Sequence, residues 1–234
     1  GLGRPRRRVA DPARVRDALD SPLVTTVLPS TTACLRCGQP LGPGPCRRCE
    51  ERARLAGAVG KLLGRDDVFI LDTETTGLKG AEVIEVALID TRGHTRLDTL
   101  VKPKCARMNP YAERVHGLSL RDLNDQPTWP EVLPELLTLT QNATILAWNA
   151  PFDARMLEQT SASWGLPHPK LLFVCAMRLY ARTHGRSAYG LHKAVVTEGL
   201  DALLTRHPSH RALGDVWFVL ELLRRLASPN ASAV

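Results

Sequence analysis

Asp72 and Glu74 lie one residue apart in the segment FILDTETTGL, residues 69–78, and that spacing suits them to hold a hard cation. Phe69, Ile70 and Leu71 lead into the pair as an apolar run of β type. On a strand, side chains alternate between faces, so both carboxylates point one way and Thr73 points the other. Two carboxylates at the end of a buried strand repel each other, and a divalent cation relieves that repulsion. The bland alternative is a strand that ends at the surface in polar residues. Two further stretches weigh against it.

The first is ILAWNAPFDARML, residues 145–157, in which a short apolar strand breaks at Asn149 and a helix opens near Pro151, a residue suited to a first turn. Asp153 falls in that turn. The second is HPSHRALGDVWFVLELLRRLA, residues 207–227, with Leu213, Val216, Trp217, Leu220, Leu223 and Leu226 recurring at helical period. His210 precedes or opens this helix and Asp215 follows five residues later. The chain order is therefore acid, acid, acid, His, acid.

Asp-x-Glu-Thr-Thr-Gly, then His-Gly-Leu at 116–118, then Asn-Ala-Pro-Phe-Asp at 149–153, then His-x4-Asp together resemble the motifs of the DEDDh (DnaQ-like) exonuclease superfamily. The resemblance covers residues 66 to about 227. It groups this chain with polymerase III epsilon-type, ribonuclease T-type and oligoribonuclease-type enzymes, and with the His branch, since no Tyr lies near Asp215. The resemblance implies an RNase H-like α/β fold, a mixed sheet flanked by helices, that removes nucleotides from 3′ ends of DNA or RNA with two Mg²⁺ or Mn²⁺ ions. It further implies that Asp72 bridges both cations, that Glu74, Asp153 and Asp215 complete their shells, and that His210 is the general base. A neutral imidazole with a pKa near ~6.5 can take the proton of the attacking water. Without cations, the four carboxylates are expected to raise the pKa of His210.

By the same resemblance, Thr75, Thr76 and Leu78 hold the terminal nucleotide, with His116, Asn149 and Phe152 along its sugar and base. Leu78 and Phe152 could equally be core residues, and His116 a hydrogen bonder in a loop. The chain departs from the commoner pattern at Trp148, where His often precedes the Asn, and at Cys175, where Asp is frequent. Neither is an expected ligand. His94, His168, His184, His192 and His207 sit in no motif and read as surface or packing residues.

A second metal motif lies upstream. Cys34, Cys37, Cys46 and Cys49 form two Cys-x2-Cys pairs joined by a Gly/Pro-rich loop, the pattern of one tetrahedral structural Zn²⁺ in a small ribbon or knuckle. Four thiolates leave no open position for chemistry. Disulfides are the alternative, but the additional Cys105 and Cys175 and the lack of a secretory signal favour reduced thiols and a cytoplasmic setting. No apolar run approaches a membrane span.

Charge divides the chain. Residues 1–65 hold 13 Lys/Arg against 5 Asp/Glu, whereas residues 66–234 hold 18 against 19, so the basic excess belongs to the N-terminal quarter. A solvated arm or the capture of phosphates both fit such a run.

The elements that must position these residues follow from periodicity and punctuation. Strands are expected at 67–75, 83–91, 95–102, 144–148 and 171–175, and helices at 129–140, 151–163, 176–184, 190–199 and 211–227. Thr128 and Glu131 have capping-box spacing ahead of the first of these helices. The domain reading is a basic arm at 1–30, a zinc module at 31–52, a linker or short helix at 53–65, an exonuclease domain at 66–228 and a frayed tail at 229–234. Expected partners are single-stranded or 3′-ended nucleic acid and, through the zinc module, a polymerase or repair protein. The competing classes are a nucleic-acid-binding or polymerase-docking protein on an inactive scaffold, and a nuclease acting elsewhere than at 3′ ends.

Overall fold

The computed structural model describes residues 33, 34, 38, 46–207 and 210–228. The chain divides into two units, residues 1–46 and 47–234. The expected basic arm, the C-terminal tail and Cys37 fall outside the described residues.

Five strands, β1 (Val68–Thr75), β2 (Val83–Asp90), β3 (Thr95–Leu100), β4 (Thr144–Ala147) and β5 (Leu172–Cys175), form one sheet in the order β3-β2-β1-β4-β5. β2 pairs antiparallel with both β1 and β3, β4 pairs parallel with β1, and β5 pairs parallel with β4. Alternation along β1 sends Val68 and Ile70 to one face and Leu71 to the other. The first face carries Ala87 and Ile89 and is covered by α8 (Ala212–Ala227) through Val216, Val219 and Leu223. The second carries Val86 and Leu88 and is covered by α3 (Trp129–Leu139) and α4 (Ala150–Ser163) through Trp129, Leu136, Met156 and Leu157. Ile70, Leu71, Val86 and Leu88 are fully buried, each burial contributing about 1.5–3 kcal/mol. This is the mixed sheet between helical layers that the resemblance implies.

Strand lengths create the notch in which the site lies. β4 pairs with β1 only from Val68 to Ile70 and ends at Ala147. β1 continues five residues beyond that pairing, so Asp72, Thr73 and Glu74 have no parallel neighbour, and the first turn of α4 stands beside them.

The last helix and the five strands fall within about two residues of the expected bounds. Two short helices of 7 and 5 residues were not among those expected: α2 (Pro110–His116) and α7 (Ala202–Arg206). α2 is defined instead by its caps. The Asn109 carboxamide accepts the Tyr111 N–H at 2.8 Å, and Gly117, at φ 72°, donates its N–H to the Glu113 carbonyl. That left-handed position is why a glycine follows His116. Ahead of α3, the Glu131 carboxylate accepts from both the backbone and the hydroxyl of Thr128, as its spacing predicts.

The segment read as a linker or short helix at 53–65 is helical and starts earlier. One helix, α1, runs from Arg47 to Leu63 and buries Leu55, Ala56 and Val59, with Val59 in the same cluster as α8. The boundary placed at residue 52 therefore lies inside a helix. Its two glycines lowered the helical signal, and the burial of one apolar stripe restores it. Among the described residues no helix is long and apolar enough to cross a membrane.

Candidate active site

The notch gathers most of the acids. Asp72, Glu74 and Asp215 present carboxylate oxygens within 4.8 Å of one another. Asp72 and Glu74 point to the face that α8 covers, and Asp215 meets them from the first turn of that helix, 8% exposed. Asp153 arrives from the opposite layer. It is 2% exposed in the first turn of α4, where the positive end of the helix dipole favours a carboxylate, and its Oδ1 accepts the Thr73 hydroxyl at 2.9 Å. It thus reaches β1 from the Thr73 side and stands outside the tight group of three. Between Glu74 and Thr75 the pairing of β1 with β2 slips by a residue, a bulge that turns the strand at the edge of the site.

Electrostatically the arrangement is under strain. Asp72 and Glu74 keep some exposure to the cleft but sit deep in the protein. Burial first, then the charges of Asp153, Asp215, Glu74 and Glu85, hold the Asp72 carboxyl well above the usual carboxylate range. Glu74 is pushed up to about 9 by burial and then by Asp215, Glu85 and Asp153, with Arg211 acting against them. Asp153 is raised to about 7 by burial, opposed by its bonds to Thr73 and the backbone. Carboxylates that resist ionisation this strongly form a donor set of the kind a hard divalent cation neutralises.

The consequence for stability has a definite sign. Glu74 and Asp153 bind protons more tightly in the folded chain than at their ordinary values of 4.5 and 3.8, so folding is favoured at low pH. That advantage is lost as pH rises toward about 9. Thermal melts in chelator should fall by several degrees between pH 5 and pH 9, and added Mg²⁺ or Mn²⁺ should restore more stability at the alkaline end. A chelated protein whose melting temperature rises across that interval would contradict the proposed cation site.

His210 lies immediately before α8 in the left-handed region, at φ 56°, a conformation costing a non-glycine residue about 1 kcal/mol or more. Its backbone N–H reaches Asp215 Oδ1 at 3.3 Å. The next two residues are tied to the sheet. Arg211 pairs with Glu85 through Nε and Nη2 at 2.7–3.1 Å, and the Ala212 N–H donates to Glu85 Oε2 at 3.0 Å. Glu85 lies opposite Glu74 on β2 and is 2% exposed. It therefore anchors the start of α8 and supplies, through Arg211, a cation near Glu74. Sequence reasoning missed it because VIEVALID reads as an apolar strand carrying two acids, Glu85 and Asp90; only the partner at residue 211 gives Glu85 a role.

The expectation that uncompensated carboxylates raise the pKa of His210 is not met. Burial, followed by the neighbouring His192, lowers it, and Asp215 alone pulls the other way. His192 is the second missed residue. It stands in the first turn of α6 (Leu191–Thr197), its ring 4.3 Å from that of His210 and its Nε2 3.5 Å from Asp215 Oδ1. No motif surrounds it, and α6 is too short to declare the face it presents.

Beside Glu74 opens a cleft of about 370 Å³ lined by Thr75, Gly77, Leu78, Asn109, Tyr111, Ala112, Val115, His116 and Phe152. Four of the six expected substrate contacts are in this lining. Leu78 and Tyr111 stand 71% and 69% exposed at it, which settles Leu78 as a surface residue. His116 is buried, its Nδ1 accepting the Leu118 N–H at 3.0 Å, and burial lowers its pKa. Thr76 and Asn149 are outside the lining. The Thr76 hydroxyl accepts the Glu82 N–H, a loop bond, and Asn149 stands exposed at the N-cap position of α4, its side chain making no cap bond. Trp148 donates its indole N–H to the Tyr189 carbonyl and Cys175 lies against the Trp148 carbonyl, so both departures from the commoner pattern act in packing.

A family model described as RNase_T, Exonuclease, matches residues 69–223. An uncharacterized exonuclease of Escherichia phage 186 is 32% identical over 178 residues, spanning 71% of this chain and 91% of the phage protein. The PolC-type DNA polymerase III of Thermotoga maritima is 30% identical over 166 residues, 67% of this chain but 11% of that much longer polymerase. Among solved structures, Exonuclease X in complex with 5′ overhanging duplex DNA aligns with a TM-score of 0.55 and 26% identity, covering 71% of this chain and 94% of that one. The nuclease domain of 3′hExo, a DEDDh family member bound to rAMP, shares the fold at a TM-score of 0.58 and 18% identity, over 70% and 93% of the two chains.

Proposed function

The chain belongs to the RNase_T exonuclease family, and we propose that it shortens DNA or RNA strands from their 3′ ends, releasing nucleoside 5′-monophosphates. The observation that carries this reading is the set of Asp72, Glu74 and Asp215 oxygens within 4.8 Å of one another, beside a cleft large enough for a nucleotide.

Asp72, Glu74, Asp153 and Asp215 would hold two Mg²⁺ or Mn²⁺ ions. Such ions supply neutralisation of the attacked phosphate, a lowered pKa for the attacking water and stabilisation of the departing 3′ oxygen. The chain's own residues do the rest. His210, neutral at physiological pH because burial lowers its pKa, accepts the water proton at its ring nitrogen. The Arg211–Glu85 pair fixes where that ring begins. Leu78, Phe152 and Tyr111 would offer apolar surface to the terminal bases, and His116, whose Nδ1 accepts the Leu118 N–H so that Nε2 carries the proton, would donate to the terminal sugar.

Cys34, Cys37, Cys46 and Cys49 would close around one structural Zn²⁺, and metal analysis should find that zinc in the purified protein. With the basic N-terminal quarter, this module would bind long nucleic acid or a polymerase or repair protein. No proposed catalytic acid is replaced, which argues against an inactive binding scaffold.

End-labelled single-stranded DNA and RNA test the reading directly. With Mg²⁺ or Mn²⁺, 5′-labelled strands should shorten stepwise and 3′-labelled strands should yield labelled mononucleotide first; chelator should stop both. Release of the 5′ label first, or cutting of a circular strand, would overturn the assignment.

A further inference from the structure

Asp215 belongs to two donor groups at once. With Asp72 and Glu74 it makes a set of oxygens only; with His192 and His210 it makes a set of two imidazoles and a carboxylate whose ligand atoms also lie within 4.8 Å of one another. The two sets differ in the cations they prefer. Carboxylate oxygens suit Mg²⁺ and Mn²⁺, whereas imidazoles suit zinc and its first-row neighbours. Two nitrogens and one oxygen, with a fourth position open to water, are a common coordination for Zn²⁺.

His192 is held in place by packing. Its ring meets Phe218 edge-on at 5.7 Å, and the residues after it on α6, Ala194 and Val195, are buried in the cluster with α8. Its Nε2 is buried, and 3.5 Å from Asp215 Oδ1 it has no hydrogen-bond partner of good geometry among the described residues. A buried ring nitrogen lacking a bond, aimed at a carboxylate and beside a second imidazole, is a costly arrangement for packing alone. A metal ion would satisfy it.

We propose that His192, His210 and Asp215 form a transition-metal site, with Zn²⁺ as its fitting occupant, and that filling it inhibits hydrolysis by occupying His210 and Asp215. The inhibitory half rests on the reading of His210 as base and Asp215 as cation ligand; the binding half does not. Zinc would therefore play two parts in this chain, structural at the cysteines and inhibitory at the imidazoles.

Full-length wild type and His192→Gln are to be compared in calorimetric titrations with Zn²⁺, the cysteines being common to both. The variant should bind one zinc fewer, or bind that zinc at least tenfold more weakly. Zinc inhibition of Mg²⁺-supported hydrolysis, each protein measured against its own rate without zinc, should weaken in parallel. Equal zinc binding in the two proteins overturns the site. Zinc bound through His192 without inhibition overturns the inhibitory role and keeps the site, a result obtainable even if the protein hydrolyses no nucleic acid. Should His192→Gln fail to fold, wild type alone decides: Zn²⁺, and not Mg²⁺, should protect His192 and His210 from diethylpyrocarbonate, and unprotected rings would refute the proposal.

Discussion

Replacing Asp72 by Asn is expected to lower single-turnover hydrolysis by roughly 10³-fold or more, the scale on which a preorganised charge that acts on the transition state is lost. Asp72 is the carboxyl on which the charges of Asp153, Asp215, Glu74 and Glu85 all bear, so its replacement weakens the hold on every cation the notch could take. The same substitution removes a buried carboxyl whose ionisation burial and the other carboxylates oppose. In chelator the variant should therefore melt at the same temperature as wild type or higher, because relieving an unpaired buried charge stabilises the fold. Loss of activity with retained or improved stability separates a ligand from a merely structural acid. Activity within tenfold of wild type would remove Asp72 from the site.

His210→Ala should lower turnover by roughly 10²- to 10⁴-fold, the usual contribution of a general base, while cation binding measured by calorimetry persists. The pH profile supplies the sharper reading. Burial and His192 lower the pKa of His210, so wild-type activity should rise with pH along a limb centred below the ordinary histidine value of 6.5, and the variant should lack that limb. A variant with full rate and an unaltered limb would transfer the role of base elsewhere, and His192 is the other imidazole beside Asp215.

The fold and the site were legible to different depths. β1 could be read because an apolar run of β type leads straight into two acids one residue apart, and α8 because Leu213, Val216, Trp217, Leu220, Leu223 and Leu226 recur at helical period. α2 and α7 could not, since one or two turns carry too little periodicity. α1 was readable only as a linker or short helix, because its two glycines each cost about 1 kcal/mol in propensity; tertiary burial of Leu55 and Val59 outweighs that cost.

The sequence by itself determined which residues have the chemistry: four acids and a histidine, in an order and on elements that a strand period of two and a helix period of 3.6 make readable. Only the tertiary structure decided how those residues meet. Asp153 comes to β1 from the layer opposite Asp215 and binds Thr73. Glu85 turns from a strand acid into the anchor of Arg211. Burial, rather than the sum of nearby charges, sets the direction in which His210 shifts. His192, 18 residues before His210, becomes its neighbour through the packing of α6 on α8. The physical reason is common to all four. Periodicity encodes which face of one element a side chain occupies, but distances, desolvation and shared partners belong to pairs of elements, and these exist only once the layers have packed.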